Sequence, residues 1–430
     1  MGPSAAEALD LEALETALRR QVMQLAARTV ETHLNQDHSD VAPSHSCSCG
    51  GTARYAGRRS KQFLTVLGPL RLERAYYHCG GCGHGFCPRD RALGLEGNSL
   101  SPALMRMVGA VAAMVSFEES SQLLEELAGV QVGAKQVQRS AQALGEQVAD
   151  YERQTQEPDP GMALPSTLYL GLDGTGVPMR STEVRGRAGK QPDGSARTRE
   201  AKLCTVWSAE RRDAQGRPQR DPGSVTYTAA IESAATLDTA PQLSEFAQRV
   251  EREAQRRRFG QAPRQVVLGD GAKWIWNVSG ELFPEAVQIV DRFHAKERLH
   301  TLAKCLYADR QLAQEWAQQR CAELDAGRIE TLLSVLAGET VHHEEGQAAC
   351  TYFYENRQRM RYARFEAQGL CTSTGVVEAG CKNAIGARLK RSGMHWSLRG
   401  ANAIMALRCV RLSGRFEDFW EWRANSKAAA

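Results

Sequence analysis

The apolar positions of the chain change period several times, and each change predicts a different element. Leu11, Leu14, Leu18, Val22 and Leu25 recur in steps of three and four, the spacing that lines one face of a helix. Such a stripe has to be covered, by the body of the chain in the simplest case or otherwise by a second copy. Residues 44–90 change character. Short β-type runs at 63–67, 70–72 and 75–77 lie between two cysteine–glycine knots, Cys47-Ser-Cys49-Gly-Gly and Cys79-Gly-Gly-Cys82-Gly. Knot, hairpin and knot make the layout of a zinc ribbon, with glycines that let backbone amides face the thiolates. Helical patterns return at 102–115 and again from Ser116-Phe-Glu-Glu, a capping-box start, to Gly129. A further helix at 134–151 carries Lys135 and Arg139 near its beginning. Two helices across a glycine-containing turn predict a helix-turn-helix, or any αα-hairpin. Three prolines at 156–165 predict a linker.

Beyond that linker the pattern is α/β. Apolar runs at 168–172, 203–207, 225–228, 265–268 and 286–290 predict five strands, and 243–258 and 272–282 two helices. Residues 181–200, rich in Gly and Arg, predict a mobile basic loop between the first two strands. From His294 to about Phe365 the pattern is helical throughout. His342-His343-Glu344-Glu345 reads as solvated surface.

Composition bounds this picture without sharpening it. The 430 residues are 42% apolar and 24% charged, ordinary for a globular protein of two or three domains. The longest apolar stretch, 108–115, is far short of the ~20 residues a spanning helix needs. Glu7, Asp10, Glu12 and Glu15 do not suit a secretory leader, so the chain is expected in the cytoplasm. In a reducing compartment the clustered cysteines read as metal ligands and the scattered ones as small buried hydrophobes. His45 or Cys87 could replace one zinc ligand, since the first pair is C-x-C. Net charge is only +4, but residues 379–415 hold eight Lys or Arg and no acid. A stretch this one-sided needs a polyanion or a large compensating acidic surface.

The candidate chemistry lies at strand ends. Asp173-Gly174 and Asp270-Gly271 each follow an apolar strand. A glycine there lets the chain turn away and leaves the carboxylate at the edge where open α/β sheets place their sites. Glu378 opens a later helix, with Lys382 one turn on. The pair could be an ordinary i,i+4 contact, but the basic run that follows suits a nucleic-acid groove. Two strand aspartates and a later helical glutamate form the ribonuclease-H-like layout.

Four stretches carry a resemblance: Leu170-Gly-Leu-Asp-Gly-Thr-Gly-Val-Pro-Met179, Arg264-Gln-Val-Val-Leu-Gly-Asp-Gly-Ala272, Val290-Asp-Arg-Phe-His-Ala-Lys296 and Gly375-Val-Val-Glu-Ala-Gly-Cys-Lys382. With the cysteine region and Arg391-Ser-Gly-Met-His-Trp396 they resemble an insertion-sequence transposase of the Kra-four type, more distantly the Mutator-like transposases. The resemblance implies a DDE enzyme in which Asp173, Asp270 and Glu378 hold two Mg²⁺ or Mn²⁺ ions, supported by Asp291 and His294. It also implies an all-helical insertion between Asp270 and Glu378, which lie 108 residues apart. The expected organisation is then an N-terminal helix at 1–40, a zinc-ribbon-like domain at 41–100 and helix-turn-helix-like helices at 101–155. A linker at 156–165 leads to a ribonuclease-H-like (retroviral-integrase-like) domain at 166–299 and 367–430, interrupted at 300–366. One structural Zn²⁺ is expected on Cys47, Cys49, Cys79 and Cys82. Lys135, Arg139, Lys382, Arg388, Lys390 and Arg391 are the expected contacts to double-stranded DNA, both terminal inverted repeats and target. The chain would act as a homo-oligomer, at least a dimer on DNA, associated with the nucleoid when bound. The alternatives are a metal-dependent nuclease or resolvase of the same fold, or a DNA-binding regulator derived from a transposase.

Overall fold

The computed structural model describes residues 10–38, 41–155, 158, 163–234, 243–340 and 343–428. Most of the expected linker, and His342, lie outside them. The chain divides into two compact units, Met1–Leu144 with Glu417–Ala430, and Gly145–Phe416.

In the first unit α1 (Leu11–Gln36) is capped by Asp10, whose carboxylate accepts from Ala13 N. It lies on a four-stranded antiparallel sheet of β1 (Ser44–Ser46), β2 (Thr52–Thr65), β3 (Gly68–Cys79) and β4 (Gly85–Phe86). The helix docks through its C-terminal half: Ala27 joins Phe63, Leu70 and Leu72 in a small core, and Asn35 hydrogen-bonds Arg71 O and Glu73 N, both at 2.9 Å. Its N-terminal stripe departs from the simplest expectation. Leu11, Leu14, Leu18, Val22 and Leu25 are all more than half exposed. After α2 (Pro88–Ala92) come α3 (Pro102–Ala112) and α4 (Phe117–Ala128). The Ser116/Glu119 capping box opens α4, and Gly129 at φ +71° closes it. Helix α5 (Ala134–Gln154) follows and runs on past the boundary between the units.

The second unit is built on a five-stranded sheet of β5 (Thr167–Pro178), β6 (Thr198–Ser208), β9 (Thr226–Ala230), β10 (Arg264–Gly269) and β11 (Val287–Val290), ordered β11-β10-β5-β6-β9. A small hairpin, β7 (Arg211–Arg212) and β8 (Pro218–Gln219), lies between β6 and β9. Neighbours β5, β10 and β11 run parallel, and β6 is antiparallel to β5 and β9. Strands buried on both faces read as continuous apolar runs, which is why all five were legible. Between β5 and β6 stand α6 (Ser181–Val184) and a loop crossed by an Ala188–Ser195 bridge, where the sequence predicts a loop without such elements. Helices α7 (Glu245–Arg256) and α8 (Lys273–Leu282) flank the sheet. The chain from α9 (Arg292–Leu306) through α10 (Arg310–Asp325), α11 (Ile329–Glu339), α12 (Glu344–Asn356) and α13 (Tyr362–Ala367) is helical. It then re-enters as α14 (Gly375–Gly380), a π-helical segment Cys381–Gly386 and α15 (Ala387–Leu389), and this unit ends after α16 (Leu398–Leu412); α17 (Phe416–Ala428) belongs from Glu417 on to the first unit. No helix among the described residues is long and apolar enough to cross a membrane.

Candidate active site and metal centres

Register decides where the acids fall. Gly171 of β5 pairs with Leu268 of β10, and Gly269 of β10 pairs with Val290 of β11. Asp173 and Asp270 each stand two residues beyond the first pair, and Asp291 one beyond the second. Three carboxylates therefore line one edge of three adjacent parallel strands, about 4.8 Å apart from strand to strand. The local chemistry differs at each.

Asp173 does not end its strand, as its glycine suggested. β5 continues to Pro178, with Asp173 opposite Leu203 and Gly174 opposite Lys202. Gly174 leaves room for a neighbour: a Cβ there would stand 2.5 Å from Glu200 Oε1. Asp173 is half-buried, and burial first, then the Asp270 charge, raises its pKa against the pull of Cys381, Gly174 N–H and His294. The Cys381 thiol is itself pushed well up by burial and the Asp173 charge, so it stays protonated against that carboxylate. Asp270 does sit at a turn. Gly271 has φ +96°, and a Cβ on it would meet the Tyr352 ring at 2.4 Å; Asp270 Oδ1 accepts from Ala272 N at 2.9 Å, and Tyr352 Oη donates to Asp270 O at 2.9 Å.

Asp291 is fully buried and caps α9, accepting from His294 N at 2.8 Å. Its other oxygen accepts from Thr374 N and from Thr374 Oγ1. One carboxylate thus fastens the segment that delivers His294 to the segment that delivers Glu378. His294 Nε2 lies 3.8 Å from Glu378 Oε1, and Lys382 Nζ lies 3.9 Å from Glu378 Oε2. Two glycines let the Glu378 helix approach the sheet: a Cβ on Gly171 would stand 2.1 Å from Val377 Cγ2, and one on Gly380 2.8 Å from Leu203 Cδ2. A cleft of 420 Å³ opens beside Asp270 and His294, past Arg298 and Cys305.

The donor set suits a hard divalent ion. Oxygens dominate it, the Asp270 charge raises the Asp173 pKa while His294 lowers it, and Asp291, His294 and Glu378 bring ligand atoms within 4.8 Å of one another. Asp173 and Asp270 are outside that tight group, and Asp291 has already committed both oxygens to hydrogen bonds.

The basic run divides by burial. Lys382, Lys390 and Arg391 are exposed, and Lys390 Nζ reaches Thr175 Oγ1, two residues beyond Asp173. Arg388 is corrected: it is fully buried, 5.1 Å from the centre of the Trp396 ring and 3.5 Å from Met394 Sδ, and cannot reach a phosphate. Arg408 is buried as well, donating to Asn383 O at 2.6 Å. Acids far away in sequence neutralise others: Arg415 pairs with Glu253 at 3.0 Å and Arg399 with Glu146. Trp396 is core, its indole N–H donating to Leu389 O at 2.9 Å.

In the first unit Cys47, Cys49, Cys79 and Cys82 bring their sulfurs within 4.8 Å of one another. Cys47 and Cys82 are 3.6 Å apart and Cys49 and Cys79 3.7 Å; a tetrahedral Zn²⁺ with bonds of about 2.3 Å separates its sulfurs by about 3.8 Å. Amides of Cys82 and Gly81 pull the Cys79 thiol down to about 7, favouring the thiolate a metal needs. The four cysteines could therefore hold zinc. His45 stacks edge-on against Tyr77 at 4.4 Å instead. Lys135 and Arg139 are exposed on α5.

Comparison with known proteins adds one relationship. No curated protein matches the chain. Among solved structures, the Drosophila P element transposase strand transfer complex aligns over 78% of this chain and 84% of that one, with 8% identity and a TM-score of 0.27. The model described as Uncharacterised protein family (UPF0236) matches residues 4–426, and the chain belongs to that family.

Proposed function

We propose that this protein is an insertion-sequence DDE transposase of the kind the Kra-four resemblance implies. It would bind the inverted repeats of its element and carry out metal-dependent strand cleavage and strand transfer. The observation that carries this reading is the row of acids on β5, β10 and β11 with the Glu378 helix laid against β5 and its neighbour β6. The sheet order, with β6 alone antiparallel among five strands, supports a ribonuclease-H-like domain. The helical chain from α9 to α13 fits the insertion that interrupts it.

Asp173, Asp270 and Glu378 would hold two Mg²⁺ or Mn²⁺ ions. Bound there, such ions supply an activated water or 3′-hydroxyl and neutralise charge on the leaving oxygen. The chain's own groups orient that site. His294 flanks Glu378, Asp291 fixes both of their segments, and Cys381 keeps a protonated thiol on Asp173. Lys382, Lys390 and Arg391 offer charge to phosphates beside the acids, and Lys135 and Arg139 offer it on α5. The cysteine site would carry one structural Zn²⁺, since four protein ligands leave no open position. The working form would be an oligomer, at least a dimer on double-stranded DNA, in the cytoplasm and on the nucleoid.

The test is cleavage of DNA carrying both element ends in the presence of Mg²⁺. Asp173→Asn, Asp270→Asn and Glu378→Gln should each abolish cleavage while leaving binding largely intact. Normal cleavage by Glu378→Gln would remove it from the triad.

A further inference from the structure

The hairpin that carries Asp173 also builds a second concave surface. Between β5 and β6 the cross-bridged loop folds beside the start of β6 and the segment after β9. Together they enclose a cavity of 670 Å³ lined by Arg187, Thr198, Arg199, Glu200, Lys202 and Glu232, among others. Its charges are not balanced within it. Glu200 is held by Lys202 Nζ at 2.9 Å. Glu232 is clasped by Arg249 through two bonds of 2.6 and 2.9 Å. Each acid on the wall therefore has its own cation.

Arg187 and Arg199 pair with no carboxylate among the described residues. They also oppose each other: burial and then the Arg187 charge lower the Arg199 pKa, with Glu183 pulling the other way. Two guanidiniums gathered at one cavity whose two wall acids, Glu200 and Glu232, are already paired favour an anion that both forks can grip, with Glu183 the acid such an anion would have to outcompete at Arg199. Among the described residues no aromatic ring lines the cavity, so they offer no platform on which a base could stack. The contact it suits is a nucleic-acid backbone.

We infer that Arg187 and Arg199 form a phosphate-binding subsite for a DNA strand that runs along the β5–β6 hairpin past Asp173. That the strand is DNA rests on the function proposed above. Arg199 stands opposite Val177 and Leu203 opposite Asp173, four residues apart. At 3.3 Å per residue this is about 13 Å, or about four nucleotides of duplex rise. A backbone gripped there could reach the acids without bending.

The experiment is binding of a short random-sequence duplex without added divalent ion, across a salt series from about 50 to 200 mM. Each phosphate contact contributes roughly 0.9 to the slope of log affinity against log salt. Arg187→Ala/Arg199→Ala should therefore be shallower than wild type by about two units. Arg187→Lys/Arg199→Lys should restore most of that slope. Arg185→Ala/Lys190→Ala, which removes equal charge from the same loop outside the cavity wall, should keep the wild-type slope. An unchanged slope in the Arg187/Arg199 double variant, or an equal loss in the Arg185/Lys190 one, overturns the subsite. Wild type that binds DNA with no salt dependence overturns it too. Because binding is read without metal, a wild type that shows the two-unit difference yet never cleaves element ends keeps the subsite and removes the transposase reading.

Discussion

Asp291 offers the sharpest division between a scaffold and a metal ligand. It could join His294 and Glu378 around an ion, since their ligand atoms cluster within 4.8 Å. Its hydrogen bonds say otherwise: it caps α9 through His294 N at 2.8 Å and accepts two further bonds from Thr374, a residue 3% exposed. Asp291→Ala removes an N-cap, at about 0.5–2 kcal/mol. It also strands the buried N–H and O–H of Thr374, at about 1–3 kcal/mol for unsatisfied groups. The sum is about 3–4 kcal/mol after allowing for partial relaxation, close to the upper range for single substitutions. In a unit of this size about 1 kcal/mol moves Tm by roughly 2–4 °C, so the metal-free variant should melt about 10 °C lower. Differential scanning calorimetry without added divalent ion reads this directly. A metal ligand predicts the opposite pattern, namely metal-free stability unchanged and Mg²⁺-dependent stabilisation lost. If Asp291→Ala melts within about a degree of wild type without metal, the scaffold argument is wrong.

Purified protein should contain one zinc per chain by elemental analysis, and Cys79→Ser should lose it and the stability of the first unit; full zinc content in that variant would move the site elsewhere. Gly171→Ala drives a methyl into Val377, with Thr205 and Trp207 also within 2.9 Å, and should destabilise by about 1–3 kcal/mol in denaturant unfolding, with Gly171→Ala/Val377→Ala recovering part of the loss; additive losses would show that the Val377 contact is not the reason for the glycine. Asp173→Asn should raise the metal-free Tm at neutral pH, because burial and Asp270 disfavour its charge. The sign follows from linkage: a carboxyl whose folded pKa is raised contributes stability below its unfolded pKa and loses it as pH rises through the folded value. The gain should fade as pH falls through the carboxylate range, and a gain that grows on acidification would reverse the assignment.

What was legible in the chain followed from periodicity, and what was missed followed from long-range pairing. The buried strands announced themselves as apolar runs, and their parallel order turned separate Asp-Gly signals into one row of acids. The end of β5 was misread because Gly174-Thr175-Gly176 has the composition of a turn; only the long pairing with β6 keeps it extended. Apolar periodicity on α1 was correct, but no sequence pattern tells which half of a helix finds a sheet to lie on. Arg388 was misplaced by treating one-signed charge as one-sided exposure. The helical pattern held the better signal: Cys381, Ala384, Ile385 and Arg388 fall at steps of three, one and three, and all four are buried. A basic side chain inside an apolar stripe has to find its partner indoors, here the Trp396 face. The same reasoning separates Arg415, held by Glu253, from Lys390, which leaves its helix end and reaches the Asp173 strand. Charge counted along a chain therefore overstates the surface a polyanion can touch. In this fold Lys390, on β5 at Thr175, and the Arg187–Arg199 cavity, at the start of β6, belong to the same hairpin as Asp173.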